Sequence, residues 1–175
     1  SDVCSSDLIV MELATKALGK KPTKVAIIGD NNPAVGSFLK PMRDGGFKDQ
    51  GLTLVSDEIF TAPLADATTM VQKLRSSKPD FLFALPTNPG DDKLVAEKLA
   101  ELGMPPRRLP VIGNGGHWLV PEIIKLTAPE NLEGVLVSLA NWPGKDAAVL
   151  EKRFIERTKE PWFGHDSIFA YAHVM

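Results

Sequence analysis

The sequence predicts an α/β fold, with a doubly wound and mostly parallel sheet that carries helices on both faces. Short apolar segments alternate with segments of helical periodicity about every 25 to 30 residues, which is typical of repeated βαβ units. The apolar segments are continuous rather than alternating with polar residues, as in strands that are buried on both faces. The chain has 175 residues, of which 43% are hydrophobic, and is long enough to bury the core of about one domain.

The first part of the chain predicts a helix, a strand and a second helix. Apolar residues recur at helical spacing over residues 8–18, and an unbroken apolar segment with a polar end follows over residues 24–30. Asn32 can cap the next helix, and Pro33 can occupy its first turn. Pro41 is expected to kink or shorten that helix, because proline has no backbone N–H group.

The middle of the chain continues this alternation. A second strand is predicted over residues 52–60 and a third over residues 80–85, since both segments are rich in apolar and β-branched or aromatic residues. Asp66 is predicted to cap the helix between them. Asp91 and Asp92 fall in the first turn of the helix after the third strand, where carboxylates interact favourably with the helix dipole. We interpret these two residues as helix-end residues rather than as a catalytic acid and base.

The last part of the chain predicts two further strands, over residues 110–112 and 134–140, with a short helix over residues 121–126 between them. Helical periodicity returns over residues 146–157, and another helix is expected to begin at residue 167. Right-handed crossovers between parallel strands bring all the strand carboxyl ends to one edge of the sheet.

Polar residues and glycines follow the strands at this edge. Asn114, Gly115 and Gly116 supply an amide and a flexible backbone. His117 adds a titratable ring and Trp118 a large stacking surface. Because ligands in open α/β sheets bind beyond the strand carboxyl ends, we predict the rim of a binding site here. The same composition is common in ordinary turns, and this alternative stays open. The other polar or aromatic residues predicted at strand ends are Asp30, Asn31, Asn32, Thr61, Thr87, Asn88, Asn141 and Trp142.

Motifs for catalysis and for cofactors are missing from the sequence. The turn after the first strand lacks the glycine spacing of a dinucleotide site, and no phosphate-binding loop occurs. There is no nucleophile elbow, and the three histidines do not form a metal-ligand spacing. A net charge of -2 gives no bulk attraction to nucleic acid or to an anionic membrane. We therefore predict a protein that is not an enzyme, needs no cofactor or metal, and binds no nucleic acid.

The first eight residues differ from the rest of the chain. They show no periodicity that continues into the following helix, and they resemble the translation of a sequencing adapter. We interpret residues 1–8 as a non-native scar and exclude them from fold reasoning. The single cysteine, Cys4, lies in this segment and leaves the redox compartment open.

The order of several segments is similar to that of a known family. The matching segments are Lys24–Asp30 followed by residues 44–47, residues 66–74 followed by residues 78–83, residues 96–103, and residues 132–137. In this order they resemble the second lobe of type I periplasmic solute-binding proteins, the branched-chain amino acid and amide binding family of ABC importers. The resemblance extends from Lys24 over most of the chain.

The resemblance implies a particular division of the chain. Residues 9–20 would be the terminal helix of a first lobe, and residues 21–160 the second lobe. Residues 161–175 would be the crossover and the start of a further first-lobe helix. The chain would then be one lobe of a two-lobed clamp, cut at both ends, with half of the ligand site absent.

The family's second lobe contacts its ligand through three loops, which fall here on residues 32–34, on Thr87 and Asn88, and on residues 115–118. Amino-acid binders commonly have an aromatic residue where Ala34 stands. They often have an acidic residue in the third loop, which contains none here. An amide, or an organic or aromatic acid, therefore fits these loops as well as an amino acid does.

The resemblance also implies roles for two side chains and for the whole protein. We expect His117 to donate a hydrogen bond to the solute and Trp118 to form a stacking wall. Replacing Trp118 by alanine should then weaken binding with little loss of fold, and replacing His117 should act in the same direction.

The implied function is that of a non-catalytic, extracytoplasmic solute-binding component of an ABC importer, which closes two lobes over its solute. Its partners would be the small solute and an ABC permease in the membrane. The intact protein would be a monomer, located in the periplasm or at the cell surface. Two alternatives remain, which are a ligand-sensing domain of a receptor or regulator with the same fold, and an α/β enzyme that uses the same loops.

Overall fold

The computed structural model describes residues 5–138 and 148–160, with side chains described from residue 11 onward. The strands are β1 (Lys24–Asp30), β2 (Thr53–Phe60), β3 (Phe81–Leu85), β4 (Val111–Asn114) and β5 (Leu136–Ser138). The α-helices are α1 (Ser5–Leu18), α2 (Pro33–Pro41), α3 (Phe47–Asp49), α4 (Thr68–Ser77), α5 (Pro89–Glu101), α6 (Pro121–Leu126) and α7 (Ala148–Thr158). A π-helical turn covers Met42–Gly46, and 3₁₀ turns cover Gly116–Leu119 and Pro129–Asn131.

The five strands form one parallel sheet in the order β2-β1-β3-β4-β5. This arrangement confirms the predicted α/β class. The fifth strand begins at Leu136 rather than at Gly134, because Gly134 has a φ of +97° that does not belong to a strand.

Helices cover both faces of the sheet, and alternate residues of β3 mark the two faces. Phe81, Phe83 and Leu85 are buried with residues of α1 and α2. Leu82 and Ala84 are buried on the opposite face, with residues of α4 and α5. The continuous apolar run of β3 is explained by this double burial, as the sequence predicted.

The predicted helix ends can be compared with the structure. Helix α1 begins at Ser5, so it extends into the segment 1–8, whose interpretation as a scar stays a prediction. Helix α2 ends at Pro41, as expected for a residue without an N–H group. Asp66 was predicted to cap α4, but the N-cap position is Ala67, and Asp66 lies one residue earlier. Its carboxylate still accepts from the backbone N of Thr68, the first residue of the helix, at 3.2 Å and from the Thr68 hydroxyl at 2.8 Å.

Asp80 organises the edge of the sheet at the amino ends of the strands. Its Oδ2 atom accepts from the backbone N of Thr23 at 2.8 Å, from the Thr23 hydroxyl at 3.0 Å and from the backbone N of Lys24 at 3.0 Å. Burial on its own would raise the pKa of Asp80, but the hydrogen bonds from Thr23 and Lys24 outweigh it, and the pKa is lowered. This carboxylate therefore stays charged and ties the turn before β1 to the start of β3.

The chain divides into two compact units, Ser1–Ser138 and Leu139–Met175. The described part of the second unit consists of α7 and the two residues after it. The predicted strand-end residues Asn141 and Trp142 and the predicted crossover at residues 161–175 lie outside the described residues.

In the described ranges, every helix is too short or too polar to cross a bilayer. The proposed division into parts of two lobes stays a prediction.

Candidate functional site

The candidate site is the edge of the sheet where the loops after β1, β3 and β4 are neighbours. In the parallel pairing, Gly29 of β1 lies opposite Leu85 of β3, and Ala84 of β3 lies opposite Gly113 of β4. Strand β2 lies on one side of β1 and β3 on the other, so the strand order reverses at this point. The crevice at such a reversal is the usual ligand position in open α/β sheets. The predicted site residues on these loops are Asn32, Ala34, Thr87, Asn88, Asn114, Gly115, Gly116, His117 and Trp118. Their contact with a solute stays a prediction.

Asp30, the last residue of β1, connects two of these loops. Its side chain is buried, with the residue only 1% exposed. Oδ1 accepts from the backbone N of Asn32 at 3.0 Å, and Oδ2 accepts from the backbone N of Thr87 at 2.9 Å and from the Thr87 hydroxyl. One buried carboxylate thus holds the loop after β1 and the loop after β3.

Two of the predicted ligand residues are helix caps. Asn32 Oδ1 accepts from the backbone N of Ala34 at 2.9 Å and caps α2, as its position before Pro33 indicated. Asn88 Oδ1 accepts from the backbone N of Asp91 at 2.9 Å and caps α5, while its Nδ2 donates to Asp91 Oδ2 at 2.7 Å. Both polar atoms of Asn88 are therefore engaged. Asn32 is exposed and keeps its Nδ2 group without a partner among the described residues.

Asp91 brings a third loop into the same network. It is 2% exposed, and its Oδ1 accepts from the backbone N of Leu64, in the loop after β2, at 2.9 Å. Its position in the first turn of α5 is the one predicted from the sequence. The Asp91 carboxylate is not exposed to solvent as at many helix ends. It is buried, and it accepts hydrogen bonds from Leu64 and Asn88, which lie in two different loops.

Asp92 and His117 form a buried pair between α5 and the loop after β4. Asp92 is fully buried, and its Oδ2 lies 2.5 Å from His117 Nδ1. His117 Nε2 lies 3.1 Å from the carbonyl oxygen of Asn114. Because a carbonyl can only accept, Nε2 carries a proton in this contact. The contact between Nδ1 and Asp92 then requires one proton, on the ring or on the carboxyl group.

Burial controls the protonation of Asp92. Desolvation raises the pKa of the Asp92 carboxyl from 3.8 to about 6, against the opposing effects of the His117 hydrogen bond and charge. The nearby carboxylates of Asp91 and Asp30 raise it further. The pKa of the Asp92 carboxyl thus lies well above that of an exposed aspartate.

Trp118 is part of the core rather than of the open edge. It is 5% exposed and belongs to the apolar cluster between the sheet and helices α4 and α5. A Cβ atom placed on Gly113 would lie 2.6 Å from Trp118 Nε1, so the indole ring lies directly on the Gly113 backbone. Gly115 has a φ of +117°, and a Cβ there would lie 2.6 Å from His117 Nε2. Gly113 therefore leaves room for the Trp118 ring, and Gly115 leaves room for the His117 ring.

These contacts change the roles expected for His117 and Trp118. The two ring nitrogens of His117 already contact Asp92 and Asn114, so neither is open to donate to a solute in this arrangement. Trp118 leaves little of its ring exposed for stacking. The burial instead predicts that Trp118→Ala destabilises the fold, because removal of a buried indole leaves a cavity.

Gly113→Ala is expected to lower the free energy of unfolding by about 1–3 kcal/mol, since a methyl group would displace the buried indole of Trp118. Urea unfolding followed by circular dichroism measures this change. Gly36→Ala is the matched control, because Gly36 lies in α2 with nothing near its Cβ position, and alanine there should stabilise the helix by about 0.5–1 kcal/mol. Equal effects at the two glycines would contradict the packing of Trp118 on Gly113.

The sequence predicted the loops and placed three aspartates near them, but it did not predict that these carboxylates hold the loops. Asp30, Asp91 and Asp92 are all buried at this edge. The available signals were an aspartate at the end of an apolar strand and two aspartates directly after an Asn-Pro-Gly turn. Within the parts of the chain that are described, no group of histidine, cysteine and carboxylate side chains is arranged to hold a metal ion.

A family model and several solved structures are similar to this chain. The family model, described as periplasmic binding protein, matches residues 8–174. No curated protein matches the chain.

Three solved structures illustrate the likeness. A fatty acid ABC transporter substrate-binding protein from Thermomonospora curvata is 19% identical, with a TM-score of 0.72, over 89% of this chain and 39% of that protein. A leucine-, isoleucine-, valine-, threonine- and alanine-binding protein from Brucella ovis, in a closed conformation, is 15% identical, with a TM-score of 0.70, over 93% of this chain and 41% of that protein. A putative branched-chain amino acid ABC transporter from Silicibacter pomeroyi is 15% identical, with a TM-score of 0.72, over 98% of this chain and 49% of that protein.

The match to these three proteins therefore spans 39 to 49% of their lengths. At these identities, the likeness establishes the fold.

Proposed function

Since the chain belongs to the periplasmic binding protein family, we propose that it is one lobe of the solute-binding component of an ABC importer. In this role the lobe closes with a second lobe over a small solute, without catalysing a reaction. The partner of the loaded protein is an ABC permease, and the intact protein acts as a monomer outside the cytoplasm.

The observation that carries the proposal is a fixed edge of neutral groups at the reversal of strand order. The carboxylates of Asp30 and Asp91 are buried and bonded to protein donors. The polar residues that remain exposed there include Asn32, Thr61 and Thr87, which are uncharged. Such groups suit the recognition of a small molecule by hydrogen bonds on a rigid platform.

The proposed solutes are amino-acid-like molecules, amides, and organic or aromatic acids. The relatives support this range, because one is named for fatty acids and another for leucine, isoleucine, valine, threonine and alanine. Within the site, Asn32, Thr87 and the backbone of residues 114–117 are the proposed contacts. Ala34 lies exposed in the first turn of α2 and leaves room beside them.

We expect the full-length protein that contains this chain to bind one of four probes, namely L-leucine, benzamide, benzoate or octanoate. Binding to the folded state alone raises the free energy of unfolding by about 2.7 kcal/mol at a probe concentration one hundred times the Kd. Thermal unfolding with each probe, followed by titration calorimetry, measures this effect. The probe should be recovered chemically unchanged. Conversion of a bound probe would favour the enzyme alternative, and no stabilisation by any of the four would contradict the proposed solute range.

A further inference from the structure

We infer that Asp30 is a positioning residue for the solute-binding edge, because its buried carboxylate fixes the loop after β1 against the loop after β3. The inference rests on the proposed function, since it concerns the same edge. It assigns a role to a residue that does not itself meet the solute. Asp30 is only 1% exposed and lies beneath the exposed side chains of Asn32 and Thr87.

The geometry makes Asp30 the connection between the two loops. Its Oδ1 bonds the backbone N of Asn32 on its own loop, and its Oδ2 bonds both the backbone N and the hydroxyl of Thr87 on the neighbouring loop. In the described part of the chain, no other hydrogen bond joins residues 31–34 to residues 86–88. Beyond the paired ends of β1 and β3, the hydrogen-bonded connection between these two loops therefore runs through a single side chain.

The location of this connection explains why it matters for binding. The strand order reverses at β1, so the loops after β1 and β3 border the crevice at the reversal. Each loop also begins a helix, which is capped by Asn32 in one case and by Asn88 in the other. A shift of one loop against the other would move the exposed groups of both loops relative to a bound solute.

Asp30→Asn is the substitution that tests the connection with the smallest change in shape. One carboxylate oxygen becomes an NH₂ group, which can only donate. That group must then face the N–H of Asn32 or the N–H of Thr87, and the affected loop loses its acceptor. The two loops should separate locally while the strands beneath them stay paired.

Asp80 provides a matched control at the opposite end of the sheet. Like Asp30, it accepts from two backbone N–H groups and one threonine hydroxyl, which belong to Thr23 and Lys24. All three bonds reach the single oxygen Oδ2, so asparagine could keep them through its own carbonyl oxygen. Asp80→Ala is therefore the control variant, because it removes this set of hydrogen bonds far from the binding edge. A general loss of stability would appear in both variants, whereas a loss of loop position would appear only in Asp30→Asn.

The experiment compares the full-length wild-type protein, Asp30→Asn and Asp80→Ala at a temperature where all three are folded. Amide hydrogen exchange of Asn32 and Thr87 reports the connection between the loops without any solute. We expect whichever of these two amides loses its acceptor to exchange at least about tenfold faster in Asp30→Asn, and both to exchange at the wild-type rate in Asp80→Ala. Calorimetry with L-leucine, benzamide, benzoate and octanoate should show affinity weakened roughly tenfold to hundredfold in Asp30→Asn, and within about twofold of wild type in Asp80→Ala.

The two readouts separate the inference from the proposed function. Unchanged exchange at Asn32 and Thr87 in Asp30→Asn, or equal changes in both variants, would overturn the positioning role. Faster exchange with unchanged probe affinity would overturn it as well, because the loops would then move without consequence for binding. If the wild-type protein binds none of the four probes, the proposed solute range fails, and the exchange comparison alone decides whether Asp30 holds the loops.

Discussion

Replacing Trp118 by alanine is expected to lower the free energy of unfolding by about 3–5 kcal/mol. The indole is 5% exposed and lies in the apolar cluster between the sheet and helices α4 and α5, directly on the backbone of Gly113. Alanine would leave a cavity there that the rigid β4 backbone cannot fill. Urea unfolding followed by far-ultraviolet circular dichroism measures the loss without relying on tryptophan fluorescence.

Trp118→Phe is the matched variant for this prediction. Trp118 Nε1 has no hydrogen-bond partner among the described residues, so phenylalanine removes no hydrogen bond and keeps most of the buried apolar surface. We expect a loss below about 2 kcal/mol for this substitution. If Trp118→Ala unfolded at the wild-type urea concentration but lost affinity for solute, the burial would be contradicted and a stacking role supported.

The second large effect is a dependence of stability on pH that arises from Asp92. Its folded-state pKa of about 6 lies above the ordinary value of 3.8, so the folded protein holds this proton more tightly than the unfolded chain does. The stabilisation is fully present below pH 3.8 and is lost as the pH rises to about 6. At about 1.4 kcal/mol for each pH unit between the two pKa values, the loss amounts to about 3 kcal/mol.

Asp92→Asn should remove this contribution, because an amide does not titrate in this range. The difference in unfolding free energy between wild type and Asp92→Asn is therefore expected to change by about 2 kcal/mol between pH 4 and pH 7. Asp66→Asn is the control. Hydrogen bonds from Thr68 lower the pKa of Asp66, so its effect on stability falls at lower pH. A constant difference between wild type and Asp92→Asn from pH 4 to pH 7 would contradict the buried titration.

The fold could be predicted because the sequence repeats one physical pattern. Strands such as Phe81–Leu85 are short apolar runs, and β1 and β3 are each followed by a polar turn and a helix that an asparagine caps. These features are local, and they depend on residues within a few positions of one another. The order of the strands in the sheet was not predicted, because it depends on which helices pack on which face.

The roles of the site residues depend on contacts between distant parts of the chain, and these could not be predicted. His117 was interpreted as a donor to solute because its partner Asp92 lies 25 positions earlier, on a different helix. Trp118 was expected to form a stacking wall because it follows a strand end in a loop that the family uses for binding. Gly113, five positions earlier, allows the ring to enter the core instead.

Under the proposed function, the capping of two helices by loop asparagines restricts how solute specificity can change during evolution or in a directed-evolution experiment. Asn32 and Asn88 each cap a helix, so most substitutions there also lower stability by about 0.5–2 kcal/mol. A library of variants at these two positions would be depleted of folded members before any selection for a new solute. Ala34 and Thr61 are exposed at the same edge, and neither side chain caps a helix. New specificity should therefore arise first at these two positions.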